Sequence, residues 1–386
     1  MVFKRIKVKL YPTVKQKEVL EKHLNAYRFC YNLCLQYKTW LWNDYKINIT
    51  AYQLQKELFE IRKETPFLKE CKAECIREVA LKLDAAFKFF FSGKGYPRYK
   101  SKKQYNSFFA HQSLSSKDSK IKFYGNTIKY KTSDFYMKLL DTNEIRTITF
   151  KKDKSGDYWA TCLIKTEAVK LPSLTNNVLG IDLGLKNLII TSNGVTFPNN
   201  KYLINSEFKL KKIKRKFAKS KKGGKNREKL RIKTAKLYRK SFRQREHYYH
   251  QVTNELIREN QTIVIETLKI QNMMKNHKVA RSISDASWDI LINQLEYKAA
   301  WYGRKLIKVG AFFPSSKTCS NCGNIKEILL LSERVYKCDC CGFSIDRDIN
   351  AAINIRNAGL KIPGVPVEGV GYEPIETGSN SLIINH

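Results

Sequence analysis

Residues 319–354 read CSNCGNIKEILLLSERVYKCDCCGFSIDRDINAAIN, in which two Cys-x-x-Cys pairs precede a short acidic segment. The first pair is Cys319 and Cys322, the second is Cys338 and Cys341, and fifteen residues separate Cys322 from Cys338. At this spacing two knuckles can bind one tetrahedral zinc ion through four thiolates. Because four cysteines leave no coordination position open, we expect one structural Zn2+ here.

Cys340 lies inside the second pair and is a fifth candidate ligand. The two-residue gap of the motif favours Cys338 with Cys341. Gly323 and Gly342 follow the two pairs, where each knuckle must turn back on itself. The alternative interpretation is that the cysteines are buried free thiols or form disulfides.

The composition indicates a globular protein with a polyanionic partner. The chain has 386 residues, of which 42% are hydrophobic, and 72 Lys and Arg against 35 Asp and Glu leave a formal charge of +37. So large a positive charge favours nucleic acid as the partner. The sequence contains no apolar run long enough to span a membrane and no signal-peptide pattern at its start, so we expect a reducing compartment, the cytoplasm.

A basic and aromatic segment lies at residues 93–103, which read GKGYPRYKSKK. Cations interleaved with aromatic rings suit a nucleic-acid backbone and its exposed bases. The alternative is a solvated linker. The candidate contacts in this segment are Tyr96, Arg98, Lys100 and Lys102.

Positive charge is most concentrated in residues 209–245, which hold nineteen Lys or Arg and one acid, Glu228. The pattern predicts two helices broken at Gly223 and Gly224. A solvated face is the alternative, but so one-sided a balance favours phosphate binding. The candidate contacts are Lys211, Lys212, Lys214, Arg215, Lys221, Lys222 and Arg231.

Elsewhere the periodicity predicts a strand over residues 3–10, helices from residue 14 to about residue 91 with Thr13 as an N-cap, and antiparallel strands over residues 119–166. If the first strand joins the later ones, the helices are an insertion in one β-unit. A further helix is expected over residues 284–302, with Asp285 and Asp289 as a cap and a surface acid.

Three acids lie in contexts that suit a cation site. Asp182 and Glu266 sit on strands otherwise dense in Val, Ile and Leu, and Asp348 opens a helix after the second cysteine pair. An ionised carboxylate on such a strand is costly unless it binds a cation. Three hard oxygen donors suit two Mg2+ ions, for which Mn2+ can substitute. Two such ions can promote the hydrolysis of a phosphodiester. Taken singly, each acid could be a cap or a salt-bridge partner, and Asp346 could replace Asp348.

The chain resembles the TnpB family, the transposon-encoded RNA-guided nucleases related to type V CRISPR effectors. The resemblance runs along nearly the whole chain and is most specific at the C-terminal cysteine and DRDINAA block. Thr267 departs from the pattern, because another acid often follows the second catalytic acid in this family. The other matching stretches are LYP at residues 10–12, RF at 28–29, YN at 31–32, GYPRYKSK at 95–102, GIDLG at 180–184 and IE at 265–266.

The resemblance implies an α+β multidomain fold and assigns the catalytic acids to Asp182, Glu266 and Asp348. The implied domains are a wedge β-barrel in residues 1–12 and 119–170, an inserted helical recognition lobe in 13–118, an RNase H-like (RuvC) domain in 171–314 and 343–358, a zinc ribbon in 315–342, and a flexible tail in 359–386.

The resemblance further implies a guide RNA from the transposon end and cleavage of double-stranded target DNA next to a short flanking motif. We expect the ribonucleoprotein to be monomeric. In a prokaryotic host it would be associated with the nucleoid. Two other functions remain open at this point: a catalytically idle RNA-guided DNA-binding repressor, and an RNase H-like transposase that joins DNA strands without RNA.

Overall fold

The computed structural model describes residues 2–102, 106–111, 116–117, 119–167, 171–172, 177–330 and 332–362. The predicted tail lies outside these residues from position 363 onward, but its first two residues, Gly359 and Leu360, belong to the last helix, Arg347–Leu360. The chain divides into two compact units, one formed by Met1–Ala168 with Leu210–Leu237 and the other by Val169–Lys209 with Tyr238–His386.

The first unit combines antiparallel strands with a group of helices. Its elements up to residue 166 are β1 (Val2–Tyr11), α1 (Val14–Tyr45), α2 (Ala51–Glu64), α3 (Pro66–Lys69), α4 (Ala73–Phe91), β2 (Ser107–His111), β3 (Ser116–Lys117), β4 (Lys120–Phe123), β5 (Asn126–Lys131), α5 (Asp134–Thr142), β6 (Ile145–Lys152) and β7 (Tyr158–Thr166).

One sheet of seven strands, in the order β2-β6-β7-β1-β5-β4-β3, organises this unit. Strand β1 pairs antiparallel with both β7 and β5. Its alternate side chains Ile6, Val8 and Leu10 are buried, as expected for a strand with one face on the core. Since β1 belongs to the later sheet, α1 to α4 are an insertion between its strands, and the sequence-based expectation is confirmed.

The helix starts follow from local chemistry. Thr13 and Thr50 cap α1 and α2, and in each case a glutamine three residues on completes a capping box. The helices end at Phe91, where Ser92 and Gly93 follow. Strands β2 and β3 therefore lie inside the range 13–118 that the resemblance gives to the helical lobe, and they belong to the sheet.

The remaining elements include a second sheet with helices packed on it. They are β8 (Val178–Leu183), β9 (Asn187–Thr191), β10 (Thr196–Pro198), α6 (Tyr202–Asn205), α7 (Glu207–Lys219), α8 (Lys225–Glu259), β11 (Thr262–Glu266), α9 (Ile270–Met273), α10 (His277–Ala286), α11 (Trp288–Tyr302), β12 (Lys305–Val309), β13 (Val335–Lys337), β14 (Ser344–Asp346) and α12 (Arg347–Leu360).

This second sheet has the order β10-β9-β8-β11-β12. Strands β8, β11 and β12 run parallel, whereas β9 and β10 are antiparallel to their neighbours. Ile181, Ile263 and Ile265 of the parallel strands are fully buried. Strands β13 and β14 form a separate antiparallel pair on either side of Cys338 and Cys341, and β14 leads into α12.

The structure also differs from the sequence-based expectations elsewhere. Helix α5 lies within the range 119–166, for which only strands were expected. The basic hairpin of α7 and the first part of α8 belongs to the first unit as residues Leu210–Leu237, where Arg231 donates to the Lys154 carbonyl. The expected helix over residues 284–302 is two helices, because Ser287 takes a left-handed conformation with φ 44°. Asp285 is accordingly buried and accepts hydrogen bonds from the N–H groups of Leu203 and Ile204, so it caps α6.

Candidate active site and metal centre

Asp182 and Glu266 occupy equivalent positions on neighbouring parallel strands. The register pairs Ile181 of β8 with Ile265 of β11, and each acid is the next residue along its strand. Because the carboxyl ends of parallel strands meet at one edge of a sheet, both acids lie at the same edge.

Both acids also lie on the face that carries α12. A Cβ on Gly180 would be 2.1 Å from the Ala352 carbonyl oxygen, and a Cβ on Gly359 would be 2.5 Å from Val264 Cγ2. Gly180 and Val264 therefore contact α12. Since side chains alternate along a strand, Asp182 and Glu266, two residues further on, point to that same face.

The first turn of α12 brings in the third acid. Asp346 is the N-cap and accepts hydrogen bonds from the N–H groups of Asp348 (2.9 Å) and Ile349 (3.1 Å). Arg347 Nε lies 3.6 Å from Asp348 Oδ1. Asp346 is exposed and engaged as a cap, whereas Asp348 is half-buried.

The electrostatics join the three acids into one site. The pKa of Asp182 is raised to about 7, first by burial and then by the charges of Asp348 and Glu266, against smaller opposing effects of the Leu183 N–H and Arg347. Burial also raises the pKa of Glu266. Carboxylates gathered in this way repel one another, and a divalent cation between them would remove that repulsion.

The four cysteines of the two pairs form one compact cluster. Cys319 Sγ lies 3.7 Å from Cys341 Sγ, and Cys322 Sγ lies 3.6 Å from Cys338 Sγ. Within the part of the chain that the structure describes, this is the one group of three or more His, Cys, Asp or Glu whose ligand atoms all lie within 4.8 Å of one another. Cys340 is exposed and outside the group.

The backbone around the second cysteine pair favours thiolates. The N–H groups of Cys341 and Cys340 donate to Cys338 and lower its pKa to about 6, against the effect of burial. Gly323 and Gly342 have φ of 79° and 71°, the left-handed turns in which each knuckle folds back. Four sulfurs at these distances fit a tetrahedral zinc ion with no open position. The three carboxylates are more widely spaced and offer the hard oxygens that Mg2+ prefers.

The tyrosine-rich segment, residues 93–102 after α4, packs on α1 and is not a solvated linker. Asn32 of α1 bonds the backbone of Lys100 twice, from Lys100 N to Oδ1 (2.7 Å) and from Nδ2 to Lys100 O (3.0 Å). The Tyr96 hydroxyl is 3.1 Å from Thr39 Oγ1, while its ring remains 47% exposed. Arg98 and Lys102 are exposed.

All seven cations predicted on the basic hairpin are exposed. Arg231 nevertheless has partners within its own unit, because Nε and Nη2 donate to Glu228 and Nη1 donates to Lys154 O at 2.8 Å. Lys212 and Arg215, on α7, are exposed. Arg231 is therefore held by hydrogen bonds within the protein although it is exposed.

Three residues of the site were not predicted from the sequence. Gly180 allows α12 to approach β8, and Asn350 and Asn354 of α12 are buried amides. A signal for the amides does exist, since two Asn at i and i+4 on an otherwise apolar helix face need buried partners.

Comparisons with known families cover three parts of the chain. Residues 288–355 match a family described as "Cas12f1-like, TNB domain", residues 162–277 match "Probable transposase", and residues 1–46 match "Helix-turn-helix domain". In the structure, residues 2–46 form strand β1 and the single long helix α1. Within the described residues, no helix has the length and apolar character needed to cross a bilayer.

Relatives match over most of the chain. A Streptomyces pristinaespiralis protein named "Putative RNA-guided DNA endonuclease" is 34% identical over 93% of this chain and 90% of that protein. InsQ of Escherichia coli K12, named in the same way, is 25% identical over 77% of each chain. A mimivirus protein named "TnpB-like protein L79" is 29% identical over 36% of this chain and 27% of its own.

Among solved structures, the chain is similar in fold to the protein of a Cas12f1-sgRNA-target DNA complex determined by cryo-EM. The TM-score is 0.54 at 16% sequence identity, with 92% of this chain and 99% of that chain covered. With the full-length relative at 34% identity and the three matching families, these findings confirm the sequence resemblance: the chain belongs to the TnpB family.

Proposed function

We propose that this protein is a transposon-encoded RNA-guided DNA endonuclease that cleaves target DNA beside a short flanking motif by metal-dependent hydrolysis. The observation that carries the proposal is the convergence of three acids: Asp182 and Glu266 lie at one sheet edge on the face that carries α12, and Asp348 lies in the first turn of α12. The raised pKa of Asp182 agrees with this geometry. A strongly perturbed carboxylate beside two others is typical of a catalytic cation site.

In this proposal Asp182, Glu266 and Asp348 hold two Mg2+ ions, for which Mn2+ can substitute. The bound ions would supply an activated water and stabilise the leaving oxygen of a phosphodiester. The residues of the chain orient the three carboxylates: β8 and β11 hold two at one sheet edge, and the capped start of α12 holds the third. Asp182, whose pKa is raised to about 7, would lose its proton when it binds a cation.

The cysteine cluster would hold one Zn2+ as a scaffold. Cys319, Cys322, Cys338 and Cys341 supply four sulfurs, so the ion would have no position for substrate. The cluster is followed within seven residues by Asp348. We therefore assign zinc to structure and magnesium to chemistry.

The formal charge of +37 would serve to bind a guide RNA and target DNA. Base pairing with the RNA would select the sequence, while Lys and Arg of the basic hairpin and the tyrosine-rich segment hold the backbones. The first unit would then contain the wedge and the recognition lobe, and the second unit the RuvC-like domain with its zinc ribbon. The particle would be a monomeric ribonucleoprotein associated with the nucleoid in the cytoplasm.

The test is to purify the protein with co-expressed transposon-end RNA and to incubate it with plasmids that carry a matched or a mismatched target, with Mg2+ or with EDTA. We expect cleavage only of the plasmid with the matched target, and only in the reaction that contains Mg2+. RNA-dependent binding without cleavage would favour the idle repressor. Strand transfer by a preparation free of RNA would favour the transposase, and either result would contradict the proposal.

A further inference from the structure

Asn350 and Asn354 are two buried amides on α12, one helical turn apart. Their side chains are 0% and 4% exposed, and their neighbours Ala351, Ala352 and Ile355 are apolar and buried. A buried amide lowers stability unless its oxygen and nitrogen are hydrogen-bonded. The partners of these amides therefore indicate what they do.

Asn350 bonds the backbone on both sides of Cys319, and Asn354 bonds the backbone that precedes Cys319. Asn350 Oδ1 accepts from Ser320 N at 3.0 Å, and Asn350 Nδ2 donates to the Thr318 carbonyl at 2.7 Å. Asn354 Nδ2 donates to the same Thr318 carbonyl at 2.6 Å and to the Ser315 carbonyl at 2.8 Å. These four bonds fix the first cysteine knuckle against α12.

The second knuckle reaches the same helix through the chain. From Cys341 the chain enters β14, and Asp346 at the end of β14 caps α12. Asp348 lies in the first turn of α12, two residues before Asn350. The two knuckles thus meet the start of α12 by different routes, one through side-chain amides and one through the backbone. A zinc ion bound by both knuckles would link these two routes to the start of α12, where Asp348 lies.

We propose that Asn350 and Asn354 are positioning residues that couple the cysteine cluster to Asp348, so that each amide strengthens zinc binding and holds the carboxylate in place for its cations. The inference rests on the proposed function for its cleavage readout. Outer partners of metal ligands commonly change metal affinity 10- to 100-fold. Coupling between two sites is reciprocal, so zinc at the cysteines and a cation at Asp348 should each strengthen the binding of the other, and loss of the amides should weaken this coupling.

The experiment uses the full chain with its RNA and follows zinc release to an excess of a chromogenic chelator. We expect Asn350→Ala and Asn354→Ala to release zinc about 10-fold faster or more. Asn357→Ala is the matched control, because Asn357 is on the same helix and its side chain bonds the adjacent Arg356 side chain. It should release zinc at the wild-type rate. Asn354→Ala leaves the Ser320 bond intact and serves if Asn350→Ala does not fold.

The second readout is the Mg2+ concentration for half-maximal cleavage, measured with zinc saturating. We expect this Mg2+ concentration to rise several-fold in both alanine variants, with a smaller change in the maximal rate of cleavage. A variant that is only partly folded would instead show a lower maximal rate at an unchanged Mg2+ concentration. The inference would be overturned if the alanine variants released zinc at the wild-type rate or kept the wild-type Mg2+ requirement. It would also be overturned if the wild-type protein contained no zinc. Wild-type protein that holds zinc but never cleaves DNA contradicts the proposed function, and zinc release then decides on the amides.

Discussion

Gly180 of β8 lies against the carbonyl of Ala352 of α12, so closely that a Cβ at Gly180 would be 2.1 Å from that oxygen. Arg356 Cβ and N would each lie 2.7 Å from the same Cβ. Only glycine fits this contact, which sets how near the helix of Asp348 comes to the strand of Asp182.

Gly180→Ala should therefore push α12 from the sheet. We expect a loss of ~1–3 kcal/mol in the free energy of unfolding, the usual cost of overpacking, and a larger relative loss of cleavage because Asp348 moves. Urea denaturation and plasmid cleavage measure the two effects. Gly310→Ala is the control, since a Cβ there meets nothing within 4 Å. Equal stability of the two variants would show that the contact is not tight.

His23 should make the first unit sensitive to acid. Its Nδ1 donates to the Val19 carbonyl (2.8 Å) and its Nε2 accepts from Lys72 N (3.0 Å), so the folded protein holds it neutral. Burial lowers its pKa from 6.5 to about 4, with smaller effects of the Val19 bond, which raises it, and of Lys72, which lowers it. Between these values the unfolded chain binds more protons, so stability is complete above pH 6.5 and is lost as pH falls toward 4.

The size of this loss is about 3 kcal/mol. Urea unfolding at pH 7.5 and 4.5 measures it, and His23→Gln should reduce the difference while lowering stability at pH 7.5. The variant keeps part of the pH dependence, because burial also lowers the pKa of His250 to about 4. His277→Gln, at an exposed position, is the control. A wild-type pH dependence in His23→Gln would contradict this account.

Cations of the basic hairpin should differ in their effect on RNA binding. Replacing Lys212 and Arg215 by Gln should weaken binding and lower the slope of log Kd against log salt by about 0.7 for each phosphate that the variant no longer neutralises. Arg231→Gln should leave that slope unchanged and lower stability, since Arg231 bonds Glu228 and Lys154. Filter binding at several salt concentrations compares them. A fall in slope for Arg231→Gln alone would reverse the assignment.

The zinc content should depend on Cys319 and not on Cys340. Cys319→Ser removes one of four clustered sulfurs, so the purified protein should hold well under one zinc per chain and unfold at lower temperature. Cys340→Ser should keep full zinc, because Cys340 lies outside the cluster. Elemental analysis and thermal unfolding decide between the two cysteines. Zinc loss from Cys340→Ser would mean that the wrong ligand has been assigned.

Local chemistry made much of the fold predictable. The capping boxes at Thr13 and Thr50, the alternation in β1 and the glycine break in the basic hairpin are encoded by neighbouring residues. Asp182 and Glu266 were recognisable because acids stand out in apolar strands.

Features that depend on distant partners were not predictable in this way. Asp285 bonds the N–H of Leu203, 82 residues away, and nothing near it in sequence indicates that role. The kink at Ser287 is a left-handed residue in a pattern that is otherwise continuous. The grouping of the hairpin with the first unit depends on tertiary contacts such as that of Arg231 with Lys154. Gly180 gave no local sign that α12 approaches it so closely.

The most direct test of the central claim, that three carboxylates form the cation site, is cleavage and binding by Asp182→Asn. Asn keeps the shape but removes the charge, so cleavage of a matched plasmid in Mg2+ should fall about 100-fold or more, while RNA and target binding stay within about twofold of wild type. Asp346→Asn is the matched control, because Asn caps a helix as well as Asp does, and it should cut normally. Cleavage by Asp182→Asn near the wild-type rate, or loss of binding in step with cleavage, would contradict the claim.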